Sequence, residues 1–129
     1  MSSSLLLDTS AVISHLRLND SVTERLTAAD FLFLPVIALG ELLHGAYRLP
    51  FPERQLQKIR TFLRAVTVLG VSTLTAEHFG KISAELSVTG QTIPVNDIWI
   101  AALAREYQLP VATHDAHFSR VDGISVLRW

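Results

Sequence analysis

Apolar and polar positions along this chain fall into two alternating periods. Short apolar runs at Leu5–Leu7, Phe31–Leu34, Val66–Val71, Pro110–Thr113 and Ile124–Leu127 read as strands. Between them the apolar positions recur at helical spacing. Ser10 is placed to cap a helix through Leu18, with Val12, Ile13 and Leu16 on one face. Asp20 or Ser21 starts a second helix carrying Val22, Leu26 and Ala29. Pro35 suits the first turn of a third, running to about Arg48. Pro50 and Pro52 break the chain, and Glu53 to about Ala65 is a fourth, with Leu56, Ile59, Phe62, Leu63 and Val66 on its apolar side. Thr75 is expected to cap a fifth helix, with Phe79, Ile82 and Leu86 aligned, closing near Gly90. Asn96 is expected to cap the last, through Tyr107.

Strands that alternate with helices favour a parallel sheet covered by helices on both faces. The expected fold is therefore α/β, a three-layer α/β/α sandwich with a mainly parallel central sheet. Ligands of such sheets bind in the crevice beyond the carboxyl ends of the strands. No linker, repeat or low-complexity tract interrupts the pattern, so residues 1–129 are expected to form one domain.

Composition narrows the function classes. At 129 residues, 49% hydrophobic and 18% charged, the chain has material for a substantial core and does not resemble a disordered segment. It has no cysteine, which excludes disulfides and thiolate metal sites and fits a reducing cytoplasm. Met1-Ser2-Ser3-Ser4 lacks the positive region of a secretory signal. The longest apolar stretch, about Phe31 to Leu39, falls short of the ~20 residues of a membrane helix and contains Pro35, so no membrane association is expected. A net charge of −1 means that nucleic-acid binding must come from a local patch or a bound cation.

Four acids stand in apolar surroundings. Asp8 closes Leu5-Leu6-Leu7, and Asp115 follows Val111-Ala112-Thr113-His114, both at expected strand ends. Glu41 lies in Ala38-Leu39-Gly40-Glu41-Leu42-Leu43, and Asp97 opens Asp97-Ile98-Trp99-Ile100-Ala101-Ala102. Buried carboxylates are costly unless paired or bound to a cation. Held close together they repel and raise one another's pKa, and a divalent ion reverses that penalty. Mg2+ takes oxygen ligands and commonly phosphate oxygens. A pair of such ions can activate water against a phosphodiester. Each acid alone has an ordinary reading: a turn or cap for Asp8, a solvated helix residue for Glu41, a first-turn acid for Asp97, a loop acid for Asp115.

These segments resemble the PIN-domain ribonucleases, and more closely the VapC-type toxins of bacterial toxin–antitoxin pairs. The matching pieces are Leu6-Leu7-Asp8-Thr9-Ser10, Glu41-Leu42-Leu43-His44-Gly45, Asn96-Asp97-Ile98-Trp99-Ile100-Ala101-Ala102 and Thr113-His114-Asp115-Ala116-His117-Phe118. The resemblance implies a PIN-like sandwich and cleavage of RNA dependent on Mg2+ or Mn2+, with one or two ions. Carried over, Asp8, Glu41 and Asp97 are core metal ligands and Asp115 a fourth, less strict acid. Thr9, Ser10, Asn96 and Thr113 become hydroxyl or amide groups that orient those ligands. The resemblance also implies a homodimer and a cognate antitoxin lying along the early helices, for which Val12, Leu16, Val22 and Leu26 are candidate groove residues as well as core residues. One departure is visible: Pro35-Val36-Ile37-Ala38-Leu39-Gly40 lacks the Ser or Thr that the family often places before the helical Glu.

The remaining candidates are less specific. Arg48, Arg54, Lys58, Arg60 and Arg64 form the one basic cluster, with Arg54/Lys58 and Arg60/Arg64 each on a local helix face. It reads as an RNA-backbone track or as a solvated helix face. Phe51, Phe62 and Trp99 are candidate base-stacking groups, with core packing the better reading for the last two. His44, His114 and His117 do not have the spacing of a compact zinc motif; contact with substrate phosphate is the functional reading of His114 and His117, simple exposure the plain one. Two other functions compete. A haloacid-dehalogenase-like phosphatase uses an Asp after the first strand, but Asp8-Thr9-Ser10 lacks the second Asp two residues on. A PIN-like protein-binding scaffold would not need all four acids.

Overall fold

The computed structural model describes residues 3–129; Met1 and Ser2 of the N-terminal tetrapeptide lie outside the described residues. Five strands form one sheet: β1 (Ser4–Leu7), β2 (Phe31–Pro35), β3 (Thr67–Leu69), β4 (Val111–Thr113) and β5 (Val126–Arg128). Their order is β3-β2-β1-β4-β5, and every neighbouring pair is parallel. Six helices flank it: α1 (Thr9–Leu16), α2 (Asp20–Ala28), α3 (Val36–Tyr47), α4 (Glu53–Leu63), α5 (Thr73–Val88) and α6 (Val95–Tyr107). The expected α/β sandwich is the observed one.

β1 lies at the centre, and Leu5, Leu6 and Leu7 are all buried, which is why its sequence is apolar without alternation. The chain builds outward from β1 through β2 to β3, then returns to lay β4 against the other side of β1. The order therefore reverses between β1 and β4, and a crevice opens at such a switch point. Helix α6 is buried almost all round: Ile98, Ile100, Ala101, Ala102, Leu103 and Ala104 have lost nearly all contact with water. Its alanines let the helix lie close to its neighbours, which brings the first turn, with Asp97, toward the centre of the molecule.

The helix starts correct the sequence reading at four places. Ser10 does not cap α1; Asp8 does, accepting from the Ala11 N–H. Thr75 does not cap α5; Ser72 does, and Thr75 is the partner three residues in, completing a capping box. Asn96 does not cap α6, which starts at Val95 after Pro94. In the first two cases more than one residue in four was chemically able to cap, and packing chose between them. In the third, the fixed φ of Pro94 sets the entry to the helix without any side-chain cap. Pro35 likewise ends β2 and precedes α3 instead of lying within its first turn.

Candidate metal centre

Asp8 is 2% exposed, at the mouth of the switch point. Its carboxylate accepts four hydrogen bonds from three donors. The Thr113 hydroxyl donates to Oδ2 at 2.5 Å. The Ser10 hydroxyl donates at 2.8 Å to Oδ1 and 2.9 Å to Oδ2. The Ala11 N–H donates to Oδ1 at 2.9 Å. Each hydroxyl also accepts: Thr113 from the Asp115 N–H at 2.9 Å, Ser10 from the His114 N–H at 3.0 Å. One lattice thus ties the end of β1, the start of α1 and the segment after β4.

Asp97 and Asp115 meet beside this lattice. A carboxylate oxygen from each, and a ring nitrogen of His117, lie within 4.8 Å of one another. His117 Nδ1 lies 3.1 Å from Asp97 Oδ2. Burial pushes the Asp8 carboxyl above its usual value, against the hydrogen bonds from Thr113, Ala11 and Ser10, and the charge of Asp115 adds to the rise. Burial also raises Asp97; His117 opposes this, and Asp115 and Asp8 both add to it. The three acids therefore share one electrostatic neighbourhood and repel within it.

Glu41 stands slightly apart. Its Oε1 accepts from the Thr9 hydroxyl at 2.8 Å, so the residue after Asp8 tethers the helical acid. Thr9, Glu41 and Asn96 border one open crevice with His44, of about 670 Å3. Asn96 itself is exposed. The Ser or Thr missing before Glu41 in the sequence is thus not needed to hold this carboxylate, because Thr9 reaches it from α1. Three of the four groups expected to orient ligands, Thr9, Ser10 and Thr113, make such contacts.

The basic cluster is divided by the fold. Arg48, Arg54, Lys58, Arg60 and Arg64 are all exposed. Arg54 and Lys58 border a groove of about 750 Å3 between α4 and the α1–α2 pair. Lys58 also faces a second groove, of about 350 Å3, which reaches Glu41 and carries Arg17 on its opposite wall. Arg60 and Arg64 border neither. Of the apolar positions expected to serve a groove as well as the core, Val12, Val22 and Leu26 are core, and only Leu16 lines these grooves. A helix shows its strongest apolar positions to the sheet first. Among the aromatics, Phe62 is buried and Trp99 stacks on Phe79 at 4.1 Å between ring centroids, whereas Phe51 is exposed.

Sequence reasoning left His114 and His117 open and missed Arg17. His117 is half-buried beside Asp97, and His114 is fixed between the Ser14 hydroxyl at 2.6 Å and the Trp129 carbonyl at 2.5 Å, so neither is merely exposed. The available signal was the Asp115-x-His117 spacing ahead of Phe118, the buried anchor. Arg17 gave none.

The sequence matches the PIN domain family over residues 5–124. It is 39% identical over 94 residues to ribonuclease VapC2 of Haemophilus influenzae, covering 72% of this chain and 71% of that one. It is 35% identical, with the same coverage, to the tRNA(fMet)-specific endonuclease VapC of Shigella flexneri. The structure superposes on a chain of the DNA-bound VapBC complex of Salmonella typhimurium with a TM-score of 0.90, at 30% identity, over 100% of this chain and 99% of that one. With a domain match from residue 5 to residue 124 and a fold shared end to end, this chain belongs to the PIN domain family and, within it, to the VapC ribonucleases.

Proposed function

We propose that the chain is a divalent-metal-dependent endoribonuclease and the toxin of a toxin–antitoxin pair. The observation that carries this reading is the buried Asp8 carboxylate, with Asp97 and Asp115 close enough to raise its neighbourhood's negative potential. Three repelling carboxylates, two of them with raised pKa, fit a site completed by a cation. Asp8, Glu41, Asp97 and Asp115 would hold one or two ions, Mg2+ or Mn2+. When bound, such an ion activates an attacking water and neutralises charge on the scissile phosphate.

The protein's own groups do the rest. Ser10 and Thr113 keep both Asp8 oxygens aimed, Thr9 keeps Glu41 turned to the crevice, and Asn96 borders the substrate side. Lys58 and Arg54, with Arg48, Arg60 and Arg64 further out, supply positive charge to the RNA backbone. Cleavage leaves 5′-phosphate and 3′-hydroxyl ends. The VapBC complex of the Salmonella neighbour supports an antitoxin partner, and the groove between α4 and α1–α2 would take that partner's C-terminal segment. The chain would act as a homodimer in the cytoplasm; among the described residues no helix is long and apolar enough to cross a membrane.

The test is RNA cleavage by the purified protein with EDTA, Mg2+ or Mn2+. Initiator tRNA is the first substrate to try, because the Shigella relative is specific for it. Metal-dependent cleavage that falls at least ~100-fold in Asp97→Asn is expected. Cleavage by Asp97→Asn at the parental rate would overturn the assignment.

A further inference from the structure

We propose that His117 Nδ1 is itself a ligand of the cation held by Asp97 and Asp115, making this a mixed oxygen–nitrogen site that prefers first-row transition ions to Mg2+. The inference rests on the metal reading above and adds a residue to it.

The geometry has three parts. His117 opens a short 3-10 turn, His117–Arg120, and the next residue, Phe118, is fully buried. That anchor fixes where the imidazole stands. Its Nδ1 lies 3.1 Å from Asp97 Oδ2, and an Asp115 oxygen lies within 4.8 Å of both. Around an octahedral ion with bonds of ~2.1 Å, adjacent ligand atoms are ~3.0 Å apart and opposed ones ~4.2 Å. The His117–Asp97 separation matches an adjacent pair. In the observed contact the two groups share one hydrogen bond; a cation held there would take the place of that proton, with the imidazole proton carried on Nε2.

The other histidines near the acids do not compete for this position. His114 has both ring nitrogens engaged, by Ser14 and by the Trp129 carbonyl. His44 borders the crevice on the Glu41 side. The consequence for metal choice follows from the donor. Mg2+ takes oxygen ligands, whereas imidazole nitrogen favours transition ions, increasingly from Mn2+ through Co2+ to Ni2+.

The measurement is pulsed EPR of the Mn2+-loaded protein, together with calorimetric titration of Co2+ and Mg2+. Nitrogen modulation of the Mn2+ signal is expected in the parent and His44→Gln, and its loss in His117→Gln. His117→Gln should also weaken Co2+ binding by at least ~10-fold while changing Mg2+ binding much less. Mn2+ bound with no nitrogen coupling, or coupling that survives in His117→Gln, would overturn the role of His117 and leave the acidic site standing. Failure of all three ions to bind the parent would overturn both. The side chain of His117 is 36% exposed, so its replacement spares the core, and thermal melting of the variant checks this directly.

Discussion

Asp8 holds a carboxylate where water scarcely reaches it, and Thr113 is why the arrangement is tolerable. Its hydroxyl is the shortest donor to Asp8 and lies wholly out of water. Thr113→Val keeps the shape but leaves the carboxylate one donor short, at a cost of about 1–3 kcal/mol. A fall in denaturation midpoint and metal binding weaker by about 10–100-fold are expected, read by urea titration and calorimetry. Asp97 behaves differently because its pKa is raised in the folded state. Its contribution to the stability of metal-free protein is full below the ordinary carboxylate pKa and is lost as pH rises through the raised value. Asp97→Asn should therefore melt higher than the parent at pH 7.5 in EDTA, by roughly 3–5 °C per kcal/mol relieved, and the gain should vanish near pH 4. Adding Mn2+ should reverse the order, raising the parent and barely moving the variant. A parent that melts above Asp97→Asn in EDTA would contradict the repulsion inferred among these acids.

Elements were legible where the apolar period was long and less so at their ends. The run Leu5-Leu6-Leu7 followed by Asp8 announced a central strand with an acid at its tip, and Leu56, Ile59 and Phe62 announced the buried side of α4. Caps were displaced because the sequence offers rivals: Asp8 and Ser10, Ser72 and Thr75. For α5 the distinction is testable. Ser72→Ala removes the acceptor for the Thr75 N–H and should cost about 1 kcal/mol, with RNA cleavage unchanged, since neither Ser72 nor Thr75 hydrogen-bonds to Asp8, Glu41, Asp97 or Asp115. The four acids could be named from flanking residues, but the pairing of His117 with Asp97 spans 20 positions and leaves no local trace. The same holds for the tether from Thr9 to Glu41, which depends on how α1 and α3 pack. At the C-terminal end of α6, Gln108 adopts φ 54°, a left-handed conformation that favours glycine. Gln108→Gly should leave the melting temperature unchanged or raise it slightly, whereas β-branched replacement by Val should lower the unfolding free energy by at least ~1 kcal/mol, the cost of forcing such a side chain into that region.

At the scale of the whole molecule, order reversal between β1 and β4 gathers residues from both ends of the chain into one crevice, with one groove leading away from it past Glu41 and a second beyond that. Charge is unevenly placed around them: Lys58 and Arg17 face each other across the groove that reaches Glu41, while Arg60 and Arg64 lie outside. In an Asp97→Asn background that binds RNA without cutting it, Lys58→Gln should reduce the slope of log affinity against log salt by about 0.7, the value for one phosphate on a single strand. Arg64→Gln should change it by less, and equal effects would mean that the grooves do not guide the strand. The parallel topology has one more consequence. Asp8 and Thr113 are hydrogen-bonded across 105 positions of sequence, and Asp115 and His117 lie later still. Synthesis runs from the N-terminus at about 5–20 residues per second, so β1 waits for nearly the entire chain before its carboxylate is correctly held. A growing polypeptide therefore has no cutting centre while its own message is still being read. On the proposed site, cleaving activity would begin only after β4 has left the ribosome and paired with β1.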